Sequence, residues 1–128
     1  MPLRLWKKLM MNVGINQTTA VYETGYGGVK HPGEAQDVMI AAMRETMAVA
    51  NAMGIPLSEA DIRYWLALTQ QFADEGMTSM RQDLLAGRPT EVELFAGTIR
   101  RLGREHGVAT PVNDLFYRLI RLMERNGR

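Results

Sequence analysis

Cysteine is absent from this 128-residue chain, which excludes disulfides, thiolate catalysis and zinc–sulfur sites and fits a reducing compartment, the cytoplasm being the simplest assignment. Histidine is scarce: His31 and His106 are the only two, and neither stands at a metal-like spacing from an acid or from the other, so no metal site is expected. Charge of one sign is also lacking. Fifteen Lys and Arg face fourteen Asp and Glu, a formal net charge of +1, so no overall field draws the protein to nucleic acid or anionic lipid. No stretch reaches the roughly 18 uninterrupted apolar residues of a membrane span. The basic and then apolar start, MPLRLWKKLMMNVGINQ, is broken by Asn12, Gly14, Asn16 and Gln17 and has no small-residue cleavage site, so it is not read as a targeting segment.

Two further absences narrow the chemistry. GYGG at 25–28 is no dinucleotide fingerprint, because the third glycine would fall at Lys30 and no strand precedes it. No glycine-flanked serine elbow occurs either, which leaves serine–histidine nucleophilic catalysis without support.

What is present is helical. The length suits one domain able to bury a core, and no segment alternates well enough to be a strand. The patterning predicts a helix over 3–23, ended by the glycines and proline of GYGGVKHPG, and a methionine-rich helix over 34–53 closed by Gly54. Ser58 with Asp61 forms a capping box for a third helix running to about 75. MTSMRQDLLAG reads as a shorter helix closed by Gly87, and Thr90 with Glu93 as a capping signature for a helix reaching Gly107. Thr110 and Pro111 then start a last helix packed through Leu115, Phe116, Leu119, Ile120 and Met123. The expectation is an all-α domain of about six helices.

One motif stands out within the first helix. Lys8, Asn12 and Asn16 recur every fourth residue, and residues four apart lie on one helical face, drifting by about 40° per step. Leu5, Leu9, Val13 and Ile15 border them, so these polar groups sit at the edge of an apolar surface, where unpaired donors are costly unless something binds them. Lys8 can be a solvated charge or an ammonium poised to donate to a substrate oxygen. Asn12 and Asn16 can bond to a neighbouring loop or hold a carbonyl or carboxylate. Spacing alone leaves both readings open. The block SMRQDLLAGRPTEVE adds Ser79, Asp83, Arg88, Thr90, Glu91 and Glu93. Arg88 can pair with a carboxylate, and Glu91, placed by the patterning in the first turn, has no capping duty of its own.

Trp6, Lys8, Asn12 and Asn16 in LWKKLMMNVGIN, then SMRQDLLAGRPTEVELFAG, then HGVATPVN at 106–113, resemble in order and spacing the C-terminal domain of ketopantoate reductases (2-dehydropantoate 2-reductases) over nearly the whole chain. The resemblance implies a single all-α domain of the 6-phosphogluconate-dehydrogenase C-terminal type over 1–128. That domain forms the floor of a cleft, while a separate N-terminal Rossmann domain, of which this sequence shows no pattern, binds NADPH. It implies that Lys8 is the general acid protonating the developing alkoxide of a 2-oxo acid. By the same token Asn12 and Asn16 orient the substrate, Ser79 holds its carboxylate, and Glu91 faces the cofactor ribose and the lysine. The reaction would convert ketopantoate to pantoate in pantothenate biosynthesis.

Departures from the family pattern lie near Tyr26 and Gly76, where some members carry substrate-binding asparagines, and at Ala96, where an asparagine is common. Two readings of function follow: the substrate-binding and catalytic half of an NADPH-dependent reductase, inactive by itself, or a non-catalytic helical interaction module on that fold. Ten methionines and helices with apolar residues all round leave surface for a partner domain or a second copy, and a homodimer is expected.

Overall fold

The computed structural model describes residues 3–127. Among them there is no strand, and the chain forms six helices and one short 3₁₀ turn, Tyr26–Gly28. Helix α1 covers residues 3–21 without a break, but only its ends are α-helical (Leu3–Met11 and Gln17–Val21); Asn12–Asn16 between them is a π-helical turn. Helices α2 (Glu34–Ala52), α3 (Glu59–Thr69) and α4 (Ser79–Leu85) follow. Helix α5 covers 93–106 and opens with a second π-turn, Glu93–Gly97, before Thr98–His106. Helix α6 is Pro111–Asn126.

Helix α1 is the centre of the fold. Trp6, Met10, Val13 and every residue from Gly14 to Ala20 are buried, the polar Asn16, Gln17, Thr18 and Thr19 among them. Helices α2, α4, α5 and α6 pack around it, with α3 flanking α1 and α2. Met10, Met39, Met43 and Met80 fill the core beside Trp6, Ile99, Phe116 and Ile120, the unbranched thioethers fitting gaps that branched side chains would leave. Gly14 lets α1 and α2 approach closely, since a Cβ there would lie 2.6 Å from Met43 Cγ.

The boundaries follow their chemical signals at most points. Ser58 N–H donates to Asp61 Oδ2 at 2.9 Å in the expected capping box. Gly54, Gly87 and Gly107 take the left-handed conformation, with φ of 81°, 72° and 71°, which ends a helix without the Cβ penalty.

The structure departs from the sequence reading at four places. Helix α3 stops at Thr69 rather than near 75. Thr69 Oγ1 folds back onto the carbonyls of Trp65 and Leu66, and the chain beyond pairs with the 25–28 loop through Tyr26 N–H to Gly76 O and Gly27 N–H to Asp74 O, both 2.9 Å. Tyr26 then rests on Phe72, ring centroids 4.6 Å apart. The Thr90–Glu93 box does not close: Thr90 N–H and Oγ1 both donate to Glu124 Oε2, at 2.8 and 2.7 Å, and Glu93 accepts from the Tyr117 hydroxyl instead. Thr110 does not cap α6; the amides of Val112 and Asn113 donate to Glu45 of α2 at 2.8 and 2.9 Å. Leu115 faces outward, 54% exposed, leaving Phe116 and Ile120 to pack.

Candidate functional site

Both π-turns arise from side chains that replace backbone partners. A π-turn closes i to i+5 rather than i to i+4, which displaces backbone groups from the α-helical ladder. In α1 the Gln17 N–H turns to Gly14 O, and Gln17 Nε2 supplies the bond to Val13 O at 2.8 Å. In α5 Phe95 N–H reaches Glu91 O at 3.0 Å and Gly97 N–H reaches Val92 O at 2.9 Å. The Ala96 amide between them donates instead to Gln17 Oε1 at 2.9 Å. One fully buried glutamine thus serves both turns.

Its orientation is fixed from behind. Glu45 accepts Asn113 Nδ2 at 2.8 Å, so Asn113 presents Oδ1 to Gln17 Nε2, at 3.2 Å. A carboxylate only accepts, and each amide behind it is turned in sequence. Ala96 is buried at the end of this chain of bonds and holds it through its backbone.

The predicted polar face divides at the first π-turn. Lys8 and Asn12 line a cleft of about 370 Å³ whose walls include Leu5, Leu9, Leu94 and Phe95. Lys8 is exposed, standing between this cleft and a neighbouring one lined by Asp61, Tyr64 and Trp65 of α3. It makes no ion pair among the described residues. Its neighbour Lys7 faces Asp61 at 3.5 Å. Asn16, 8% exposed, donates through Nδ2 to Asn12 Oδ1 at 2.9 Å. Asn16 Oδ1 accepts from Ser79 Oγ at 3.3 Å and from Met80 N–H at 3.4 Å. Lys8, Asn12, Asn16 and Ser79 are therefore joined in space, with Asn12 as the link between the lysine and the α4 terminus.

Glu91 stands apart. It is exposed, precedes α5 by two residues rather than occupying its first turn, and is not among the residues lining the lysine cleft. Arg88 pairs with Asp83 at 3.0 Å, as expected.

The sequence reading missed several participants. Leu94, Phe95 and Arg101 of α5 complete the cleft, and nothing in a single sequence says which helix faces Lys8. Gln17, Asn113 and Glu45 also went unrecognised, although a glutamine in a segment otherwise destined for the core was a visible signal. Beyond Arg101 a second cleft of about 510 Å³ is lined by Glu93, Arg100, Arg104 and Tyr117. There the hydrogen bond to Glu93, aided by burial and the carboxylate's charge, holds Tyr117 above the ordinary tyrosine pKa. Arg100 stacks over its ring at 4.2 Å.

Chemically, the lysine cleft offers, among the described residues, the Lys8 ammonium without an ion-pair partner, the Arg101 guanidinium paired with Glu105, one amide able to donate and accept, and apolar walls. That set can hold a small anionic, oxygen-bearing ligand. No strand followed by a glycine-rich turn, the usual cradle for a dinucleotide's phosphates, occurs among the described residues.

Comparison with known proteins gives a consistent picture. The family model described as ketopantoate reductase PanE/ApbA C terminal matches residues 1–124. The 2-dehydropantoate 2-reductase of Vibrio cholerae serotype O1 is 34% identical over 122 residues, 95% of this chain and 41% of that protein. The Halobacterium salinarum enzyme of the same name is 34% identical over 123 residues, 96% and 40%. Among solved structures, the dimeric ketopantoate reductase of Staphylococcus aureus superposes with a TM-score of 0.88 at 32% identity, covering 98% of this chain and 44% of that one. A D-mandelate dehydrogenase bound to NADH and anilino(oxo)acetate shares the fold, with a TM-score of 0.89 at 23% identity over 98% of this chain and 41% of that one. The chain spans about two fifths of the length of the curated relatives it matches.

Proposed function

The chain belongs to the ketopantoate reductase family through that family's C-terminal domain, and from this premise we propose that it is the substrate-gripping and proton-donating half of an NADPH-dependent 2-oxo acid reductase. Ketopantoate is the proposed substrate, and pantothenate biosynthesis in the cytoplasm the proposed setting. The observation that carries the reading is the conjunction at one cleft of an unpaired Lys8 with Asn12, itself bonded to Asn16 and through it to Ser79.

Each group has a defined task. Lys8 donates a proton to the 2-oxo oxygen as negative charge gathers there, a role in which positioned acids supply about 10² to 10⁴ in rate. Asn12, braced by Asn16, fixes the substrate's oxygens in one orientation, which removes rotational freedom before reaction. The Ser79 hydroxyl, at the exposed edge of the same network, takes the substrate carboxylate. Leu5, Leu9, Leu94 and Phe95 keep water from the reacting face, where a drier surrounding strengthens the lysine's attraction for the oxygen. NADPH, when bound, supplies the hydride. Its phosphates belong to a Rossmann domain joined in cis or in trans, while Glu91 is left exposed toward the ribose. Leu5 and Leu94, 45% and 56% exposed beside the cleft, offer apolar surface to that domain. Leu115 and Leu122 on α6, 54% and 45% exposed, suit a second copy in a homodimer.

The test is NADPH oxidation, followed by absorbance, with a panel of 2-oxo acids. The 128 residues alone are expected to leave absorbance unchanged. Together with a cognate Rossmann domain they are expected to consume NADPH with ketopantoate. Turnover by the chain alone, or none with the domain supplied, rejects the assignment.

A further inference from the structure

The buried glutamine at the back of the site carries an inference of its own, which rests on the functional reading above. We infer that Gln17 is a positioning residue: by holding both π-turns it sets where Asn16 braces Asn12, and with it the direction in which Asn12 faces the lysine cleft, and so controls the grip on a 2-oxo acid without touching it.

The argument starts from what the helix would do without it. Four residues of α-helix turn through about 400°, so Asn16 would lie about 40° round from Asn12. The wider i to i+5 closure between them reduces the turn per residue, so Asn16 sits at a different angle round the axis from the one an unbroken α-helix would give it. Asn16 Nδ2 then meets Asn12 Oδ1 at 2.9 Å while Asn16 Oδ1 still reaches Ser79 and Met80. The wider turn persists because Gln17 Nε2 occupies the Val13 carbonyl. The same side chain takes the Ala96 amide that the second turn displaces, and that turn carries Leu94 and Phe95, the opposite wall of the cleft. Both walls are thus registered to one amide group. An apolar residue of the same size would leave Val13 O and Ala96 N–H without these bonds in the core, and the nearest relief is a return of both turns to α-helical closure.

The experiment uses the 128-residue chain, its side-chain amides resolved by ¹H–¹⁵N NMR and its ketopantoate affinity measured by titration. Gln17→Met is expected to shift the Asn12 and Asn16 side-chain amide signals and to weaken ketopantoate binding at least tenfold. Gln17→Glu, which keeps an acceptor for Ala96 but no donor for Val13, is expected to fall between. Ile62→Ala, a core truncation outside both turns, is expected to lower the unfolding temperature while leaving those signals in place, a separation that a merely structural glutamine would not show. Folded Gln17 variants with unmoved Asn12 and Asn16 signals, or with wild-type affinity, overturn the inference. If both variants unfold, Asn113→Ala removes one partner of Gln17 and must shift the same signals; unmoved signals there overturn it too. A wild-type chain that takes up no ketopantoate counts against the reductase reading, and the amide signals of the free chain then decide the role of Gln17 alone.

Discussion

Two polar clusters hang from the same helix, one on its inner side and one on its outer. The inner one, Gln17 with Asn113 and Glu45, is closed: its amides and carboxylate meet backbone or side-chain partners at 2.8 to 3.2 Å. The outer one, Lys8 with Asn12, Asn16 and Ser79, is closed only at its back. Asn16 is committed to three partners, whereas Lys8 is left with a cleft in front of it. A satisfied buried network specifies one packing, and an exposed cation beside apolar walls is available to a ligand. The difference separates residues that build the domain from residues left open to a ligand, although Asn16 and Gln17, one from each group, are neighbours in the chain.

That division is broken most directly by Lys8→Ala in the complex with a Rossmann domain. Turnover is expected to fall about 10² to 10⁴-fold while the unfolding temperature of the chain stays where it was. A mutant that loses stability but keeps its rate would place Lys8 with the builders. The converse is Glu45→Ala, which strips the cap from α6 and leaves the buried Asn113 amide unpaired. A loss of about 2–4 kcal/mol is expected by denaturant titration. The smallest effect concerns the rim. Hydrogen bonding to Lys30, at 2.8 Å, and the lysine's charge hold Asp74 below the usual carboxylate range. Because the folded pKa is the lower one, the pair's contribution is present above the ordinary aspartate range and fades as pH falls through the folded value. Lys30→Met should therefore narrow the difference in unfolding temperature between pH 6 and pH 3 slightly. An unchanged difference would show that the pair does nothing.

The order of helices was legible because its signals are local. Ser58 and Asp61 lie three residues apart, and the glycines at 54, 87 and 107 each follow the last periodic residue. The K-x-x-x-N-x-x-x-N stripe could be placed on a face for the same reason. What escaped the sequence depends on partners far along the chain. Gln17 meets Ala96 and Asn113, Thr90 meets Glu124, and the end of α3 is set by Tyr26 and Gly27. Local rules paired Thr90 with Glu93, yet Glu124, 8% exposed in α6, needed that threonine more: a buried carboxylate left without donors costs more than an exposed cap left open. The π-turns were invisible because no short pattern in the sequence marks them, and their stabilising bonds come from elsewhere. Of the residues singled out in the sequence, Lys8, Asn12, Asn16 and Ser79 come together in space, while Glu91 does not line their cleft.

The π-turn of α1 also gives the helix two independent phases. An i to i+5 closure holds one residue more than the α-helical ladder needs, so the front, bearing Trp6 and Lys8, is clocked by about 100° relative to the back, bearing Gln17 and Thr19. Removing a single residue between Asn12 and Asn16 would erase that offset. With the back held by α6, the lysine would swing away from Leu94 and Phe95; with Trp6 held in the core, Gln17 would lose both turns. The active face is tuned like a gear on a shaft, and one tooth is its unit of change.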